Sequence, residues 1–262
     1  DEVGSRGLGD VYKRQLAACR ASSLAARRLE WLSGLALTND GLLVCSLDDP
    51  STAMFKFATD GSMDELATVP ALADYDQGFT RCAVHQQTQR TYAIGEADGG
   101  SQALVLLDAN LQVVATVEDT GDVPEDFDHE KEYEPIRDVA VHGDQVIVLT
   151  TDHHAEGSGL RLLDLDGRFL RTIAAGQFLS PQAVTASHGR AFVVDEDFGD
   201  DIPIGTGNAL YIIDMQSGDI LQRIRMPNLP GDVPTICLDG DEIFILIAGL
   251  DTSEVVVLRY AG

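Results

Sequence analysis

The stretch that decides the fold runs from Asp164 to Phe198 and reads DLDGRFLRTIAAGQFLSPQAVTASHGRAFVVDEDF. Short apolar runs rich in Val, Ile, Leu and Phe alternate with Asp, Gly, Ser and Pro. The segment AVTASHGRAFVVDED reads as a strand, a tight polar turn at His188-Gly189, and a second strand ending in an acid. There is too little 3.6-residue periodicity for helices, and the punctuation is that of strands and turns.

Outward from this stretch the same order of features recurs. Pairs of strands open at Leu35 (LALTNDGLLVCSLDD), Cys82 (CAVHQQTQRTYAIGEAD), Val139 (VAVHGDQVIVLTTD), Ala183 and Ile236 (ICLDGDEIFILIAGLD). The spacings are 47, 57, 44 and 53 residues. Third strands follow at Met54, Ala103, Leu160, Ala209 and Glu254, and fourth strands (MDELATV, LQVVATV, RFLRTIA, DILQRIRM) follow four of them. A four-strand unit recurring every ~40–50 residues predicts an all-β propeller of antiparallel blades. The expected blades are about five, at residues 32–69, 79–117, 135–175, 181–226 and 234–262.

The Asp164–Asp214 region resembles an NHL-type repeat: a hairpin with Gly167, then Pro181, the run Ala183–Thr185, and Phe192–Asp195. The resemblance implies a β-propeller of the broad group that includes TolB-like and SMP-30-like folds. Such propellers are commonly six-bladed, so a sixth blade lost upstream is the alternative to five. Residues 1–15 read as a non-native or disordered leader and 16–262 as one propeller domain. A strand within 22–31 is expected to complete the last blade, with a short helix over Leu16–Arg28 as the alternative.

Charge narrows the partners. Lys and Arg number 18 against 43 Asp and Glu, a net charge of -25. Such a surface repels nucleic acid and anionic lipid and suits cations, high salt or general solubility. No apolar run is long enough for a membrane-spanning helix. The four cysteines form no C-x-x-C pair; Cys45, Cys82 and Cys237 lie in apolar runs and read as buried thiols. The sequence leaves the compartment open, with secretion or a periplasmic location compatible.

Second strands end at acids in every blade: Asp48, Glu96, Asp152, Asp195 with Asp197, and Asp251. One reading is turn chemistry, in which Asp caps its own backbone. The other is a carboxylate set for calcium or another divalent cation, or for a cationic ligand. The acidic loops Glu118–Pro135 and Asp195–Asn208 read either as solvated mobile loops or as calcium sites. Arg81 and Arg137, placed just before strand one of neighbouring blades, either neutralise carboxylates or bind an anionic ligand group. His153, beside Asp152, is the candidate general base or ligand. His85 and His142 end strand one and read as turn residues.

No G-x-S-x-G nucleophile elbow is present, nor the motif of five-bladed glycosidases, and Trp31 alone would stack a sugar. The function expected is therefore a binding or scaffold propeller whose acidic face takes a protein, small molecule or cation. The alternatives are a divalent-metal-dependent hydrolase or lactonase resembling the SMP-30/gluconolactonase group and, less favoured, a five-bladed glycosidase.

Overall fold

A computed structural model describes residues 32–46, 52–60, 64–97, 102–117, 136–151, 158–196, 208–226, 232–239, 242–248 and 253–259. Every regular element among them is a β-strand. The first sheet holds β1 (Leu32–Leu37), β2 (Leu42–Ser46), β3 (Thr52–Phe57) and β4 (Glu65–Pro70), and the second β5 (Gly78–His85), β6 (Arg90–Glu96), β7 (Gln102–Leu107) and β8 (Val113–Val117). The third holds β9 (Ile136–His142), β10 (Gln145–Thr150), β11 (Gly159–Asp164) and β12 (Phe169–Ile173). The fourth holds β13 (Pro181–Ser187), β14 (Arg190–Glu196), β15 (Asn208–Asp214) and β16 (Ile220–Arg225). The fifth has three described strands, β17 (Asp232–Asp239), β18 (Glu242–Ala248) and β19 (Ser253–Arg259).

Each sheet takes its strands in chain order. This is the blade of a β-propeller, and five blades are present among the described residues. The strand expected within 22–31 and the leader 1–15 lie outside the described residues. The chain divides into two compact units, residues 1–100 with 107–114 and residues 101–106 with 115–262.

In the second unit, alternation explains the packing of the fourth blade. Ala191, Val193, Ala209, Tyr211 and Ile213 join a core with Ile147, Leu149, Leu160, Leu162 and Ile173 of the third blade. The residues between them, Phe192, Val194, Leu210 and Ile212, join Ile236, Ile243 and Ile245 of the fifth. Successive side chains point to opposite faces, so a sheet buried on both faces needs an unbroken apolar run, which AFVV and ALYII supply. The outermost strands are one-sided: Leu170 and Leu221 stay exposed.

Strand one of each blade carries a bulge. The pairing skips between Leu32 and Gly34, Phe79 and Arg81, and Pro181 and Ala183. It skips likewise between Ile136 and Asp138 and between Asp232 and Thr235. An extra residue in one strand flips the side-chain alternation beyond it, which decides where the polar residues point.

Candidate functional site

Of the residues marked by sequence, Asp48, Asp152, His153, Asp197 and Asp251 lie outside the described residues. Glu96 and Asp195 are described, and the ladders place them differently. Asp195 sits inside β14, opposite Pro181 before the bulge and Ala209 on the other side. Its counterparts in other blades by that ladder are Ser46, Gly95 and Thr150. Glu96 is one position further on, opposite Gly78. The two acids thus occupy different ladder positions, offset by one residue.

The Asp195 side chain is fully buried. One carboxylate oxygen accepts the Ser180 N–H at 2.7 Å and the other the Leu179 N–H at 3.2 Å. Burial pushes its carboxyl above the usual range, while those two N–H groups and the Arg223 guanidinium pull it back. Arg223 lies over the Tyr211 ring, 5.4 Å from its centroid, and Phe178 meets the same ring edge-on at 5.4 Å. The carboxylate therefore ties the loop entering the blade to the end of strand two. The backbone carbonyl of Glu96 accepts the Gln77 N–H at 3.1 Å, and its side chain is half-buried.

Arg81 and Arg137 also separate. Arg81 follows the bulge in β5 and pairs with Ile94; Arg137 is the bulge residue in β9 and is exposed. The ladder counterpart of Arg81 is Asp138, not Arg137. Arg81 donates through Nη1 to the Ser33 carbonyl of the neighbouring blade and to the Thr80 carbonyl at 3.0 Å. Its Nε is buried and has no hydrogen-bond partner among the described residues.

Asp138 was not singled out from the sequence, though an acid inside the apolar run IRDVAV is a signal that could have found it. It is 8% exposed. One oxygen accepts the Val139 N–H at 2.9 Å, and the other reaches the next blade to accept the Val184 N–H at 2.8 Å. Both residues after the bulge therefore bond across to a neighbouring blade, with opposite chemistry. Arg81 supplies donors to a carbonyl and Asp138 an acceptor to an amide.

The histidines that end strand one are structural as well. His85 is buried, with Nδ1 2.7 Å from the Thr88 hydroxyl. His142 Nε2 accepts the Gly189 N–H at 3.0 Å, a second hydrogen bond from the third blade to the fourth. A recurring acid with a fixed role stands at the end of strand three. Asp108 accepts from the Asn110 and Gln112 N–H groups, Asp164 from Asp166 and Arg168, and Asp214 from Gln216 and Ser217. Each carboxylate holds its turn, and backbone N–H groups lower the Asp108 and Asp214 carboxyls below the usual range. Among the described residues no three His, Cys, Asp or Glu side chains gather in a metal-holding group. Nor is any helix there long and apolar enough to cross a membrane.

Blades of this kind define a β-propeller, and the comparison with solved structures gives the same class. The chain is similar to TolB from Acinetobacter baumannii, with TM-score 0.57 and 12% identity over 87% of this chain and 52% of that one. It is similar to hydrazine synthase of Kuenenia stuttgartiensis, with TM-score 0.53 and 14% identity over 82% of this chain and 64% of that one. It is similar to the Dos1 propeller, with TM-score 0.50 and 11% identity over 88% and 59%. The chain thus spans 52–64% of the length of these structures. At such identities the likeness shows the β-propeller fold and nothing about activity. No protein-family model matches the chain, and no curated protein matches it.

Proposed function

We propose that this chain is a binding propeller of NHL-like type, a non-catalytic scaffold whose acidic loop face takes a cationic ligand, a divalent cation or a basic protein segment. One observation carries the reading. The buried titratable side chains Asp138, Asp195 and His85 are engaged in hydrogen bonds that hold backbone or turns. A general acid or base needs a side chain free to meet substrate, and each of these is buried and already holds a backbone amide or a hydroxyl of the fold. The net charge of -25 supplies the attraction, and exposed carboxylates raise the local concentration of cations over a Debye length of ~8 Å at physiological salt. In this reading Asp48, Glu96, Asp152, Asp197 and Asp251 are contact acids, each on its own blade, and the exposed Arg137 is the cation available to an anionic group of the ligand.

The competing reading is a metal-dependent hydrolase using Glu96, Asp195 and neighbouring acids, with His153 or Asp152 as the proton carrier. Elemental analysis of protein purified without chelator separates the two, coupled to calorimetric titration with calcium and with a lysine-rich peptide. Binding of the peptide that weakens with salt and on Asp48→Asn/Asp251→Asn, with no stoichiometric tightly held metal, is the expected result. Stoichiometric metal lost on Asp195→Ala or Glu96→Ala, together with lactone hydrolysis, overturns the scaffold reading.

A further inference from the structure

The first unit holds a pair of thiols that none of the roles above uses. Cys45 lies on β2, where it pairs with Gly34 on one side and Met54 on the other. Cys82 lies on β5, the first strand of the next blade, opposite Ala93. Both are free, at 0% and 9% exposed. Gly34 is what lets β5 close over Cys45. A Cβ built on Gly34 would stand 2.8 Å from the Arg81 Cα, 3.0 Å from the Thr80 carbonyl oxygen and 3.2 Å from the Cys45 Sγ. Any side chain there would fill the space through which β2 and β5 meet. With glycine there, the Cys45 thiol lies against the β5 backbone at Arg81, the residue next in the chain to Cys82. The adjacent Arg81 supplies positive charge, with its buried Nε unpartnered among the described residues.

We propose that Cys45 and Cys82 are an oxidisable pair, and that a peroxide converts them to a disulfide joining the first blade to the second. Cys82 is the more accessible thiol and reacts first. Its thiolate attacks a peroxide oxygen, the O–O bond breaks, and sulfenic acid and water form from hydrogen peroxide. Cys45 then attacks the Cys82 sulfur, the S–O bond breaks, and a second water leaves. The two thiols lose two hydrogens and two electrons in all, and the peroxide is reduced to water. The order follows from environment. Burial and the neighbouring Cys82 hold the Cys45 thiol well above its ordinary range, so it stays protonated and is a poor first nucleophile. As a resolving thiol lying against the strand that carries its target, it needs no solvent access. The bridge would fix β2 against β5 and close a loop of the chain between them, which restricts the unfolded state more than the folded one. This inference is independent of the ligand-binding reading.

The test is direct. The full chain is exposed to hydrogen peroxide, quenched with an alkylating agent under denaturing conditions, digested without reductant and mapped by mass spectrometry. The expected result is an intact mass lower by one hydrogen molecule and a bridged peptide holding Cys45 and Cys82, reversed by dithiothreitol. In Cys45→Ser the bridge disappears and Cys82 accumulates as sulfenic acid, trapped as a dimedone adduct, and as sulfinic acid, read from the added mass of two oxygens. In Cys82→Ser, Cys45 stays reduced. Singly alkylated Cys45 and Cys82 in the peroxide-treated parent, or a bridge from Cys82 to Cys19 or Cys237, would overturn the proposal.

Discussion

Gly78 opens β5 with φ of +93°, and a Cβ built on it would stand 2.3 Å from the Ser46 carbonyl oxygen in the neighbouring blade. Gly78→Ala therefore imposes two separate costs. Holding an alanine at positive φ costs about 1–2 kcal/mol. Forcing the β5 and β2 backbones apart costs about 1–3 kcal/mol, the usual range for overpacking a filled core. The smaller conformational freedom of unfolded alanine offsets about 0.4–1 kcal/mol. The net loss expected is roughly 2–4 kcal/mol, which in a domain of this size lowers Tm by about 4–16 °C. Gly143 provides the control. It also has positive φ, at +55°, but nothing lies within 4 Å of its built Cβ. Gly143→Ala carries the backbone cost alone, about 1 kcal/mol. Urea denaturation of both variants, followed by tryptophan fluorescence and far-UV circular dichroism, isolates the steric part as their difference. If Gly78→Ala is no more destabilising than Gly143→Ala, the close approach of β5 to Ser46 is wrong.

The remaining predictions concern the carboxylates that hold backbone. Asp195→Ala leaves the Leu179 and Ser180 N–H groups without acceptors and should cost about 1–3 kcal/mol. Because its folded carboxyl lies above the ordinary Asp value, its stabilisation is fullest below that value and shrinks as pH rises through the folded one. The loss measured by urea titration should thus be larger near pH ~3 than near pH ~7; the reverse order would sink the assignment. Asp214→Asn and Asp108→Asn run the other way. Their folded carboxyls lie below 3.8, so the stabilisation is present above it and lost as pH falls through the folded value. Variant and parent should differ in midpoint near neutrality and converge in acid. Asp138→Ala should cost about 2–3 kcal/mol, since it orphans a buried amide. It should also speed hydrogen exchange at the Val184 amide, whereas His142→Ala should act on Gly189 and cost less; unchanged Val184 exchange would refute the tie between blades.

Most of the architecture was readable because strands buried on both faces must be apolar throughout, and runs such as AFVV and ALYII cannot be mistaken for turns. The blade pitch followed from repetition of those runs. Register was harder to read. A bulge is one extra residue with no composition of its own, and it displaces every position before it by one. The bulge residues Thr80 and Arg137 share a rung, so the ladder aligns Arg81 with Asp138 and not with Arg137, and Glu96 stands one rung beyond Asp195; both offsets show only in the strand pairing. The acid that recurs with a constant role is the strand-three aspartate of Asp108, Asp164 and Asp214, each followed two residues on by Asn, Asp or Gln. The Cys45–Cys82 contact joins residues far apart in the chain, and no local pattern announces such a meeting. Asp48, Asp152, His153, Asp197 and Asp251 stand as sequence readings.

The bond from Asp138 to Val184 makes the boundary of a repeat different from the boundary of a folding unit. Counted along the chain, the third blade ends at Ile173. Counted by what must be present for its polar groups to be satisfied, it ends inside β13, because its strand-one carboxylate takes its donor there. A fragment cut cleanly between the two repeats would leave Asp138 with one of its oxygens without the Val184 N–H and would free the Val184 amide in the other piece. Blades joined in this overlapping way lose stability in steps larger than one repeat, so partial unfolding should proceed by pairs of neighbours and not by single blades. Anyone shortening, permuting or grafting this chain would do best to place the junction after β13, where the shared bond is already inside.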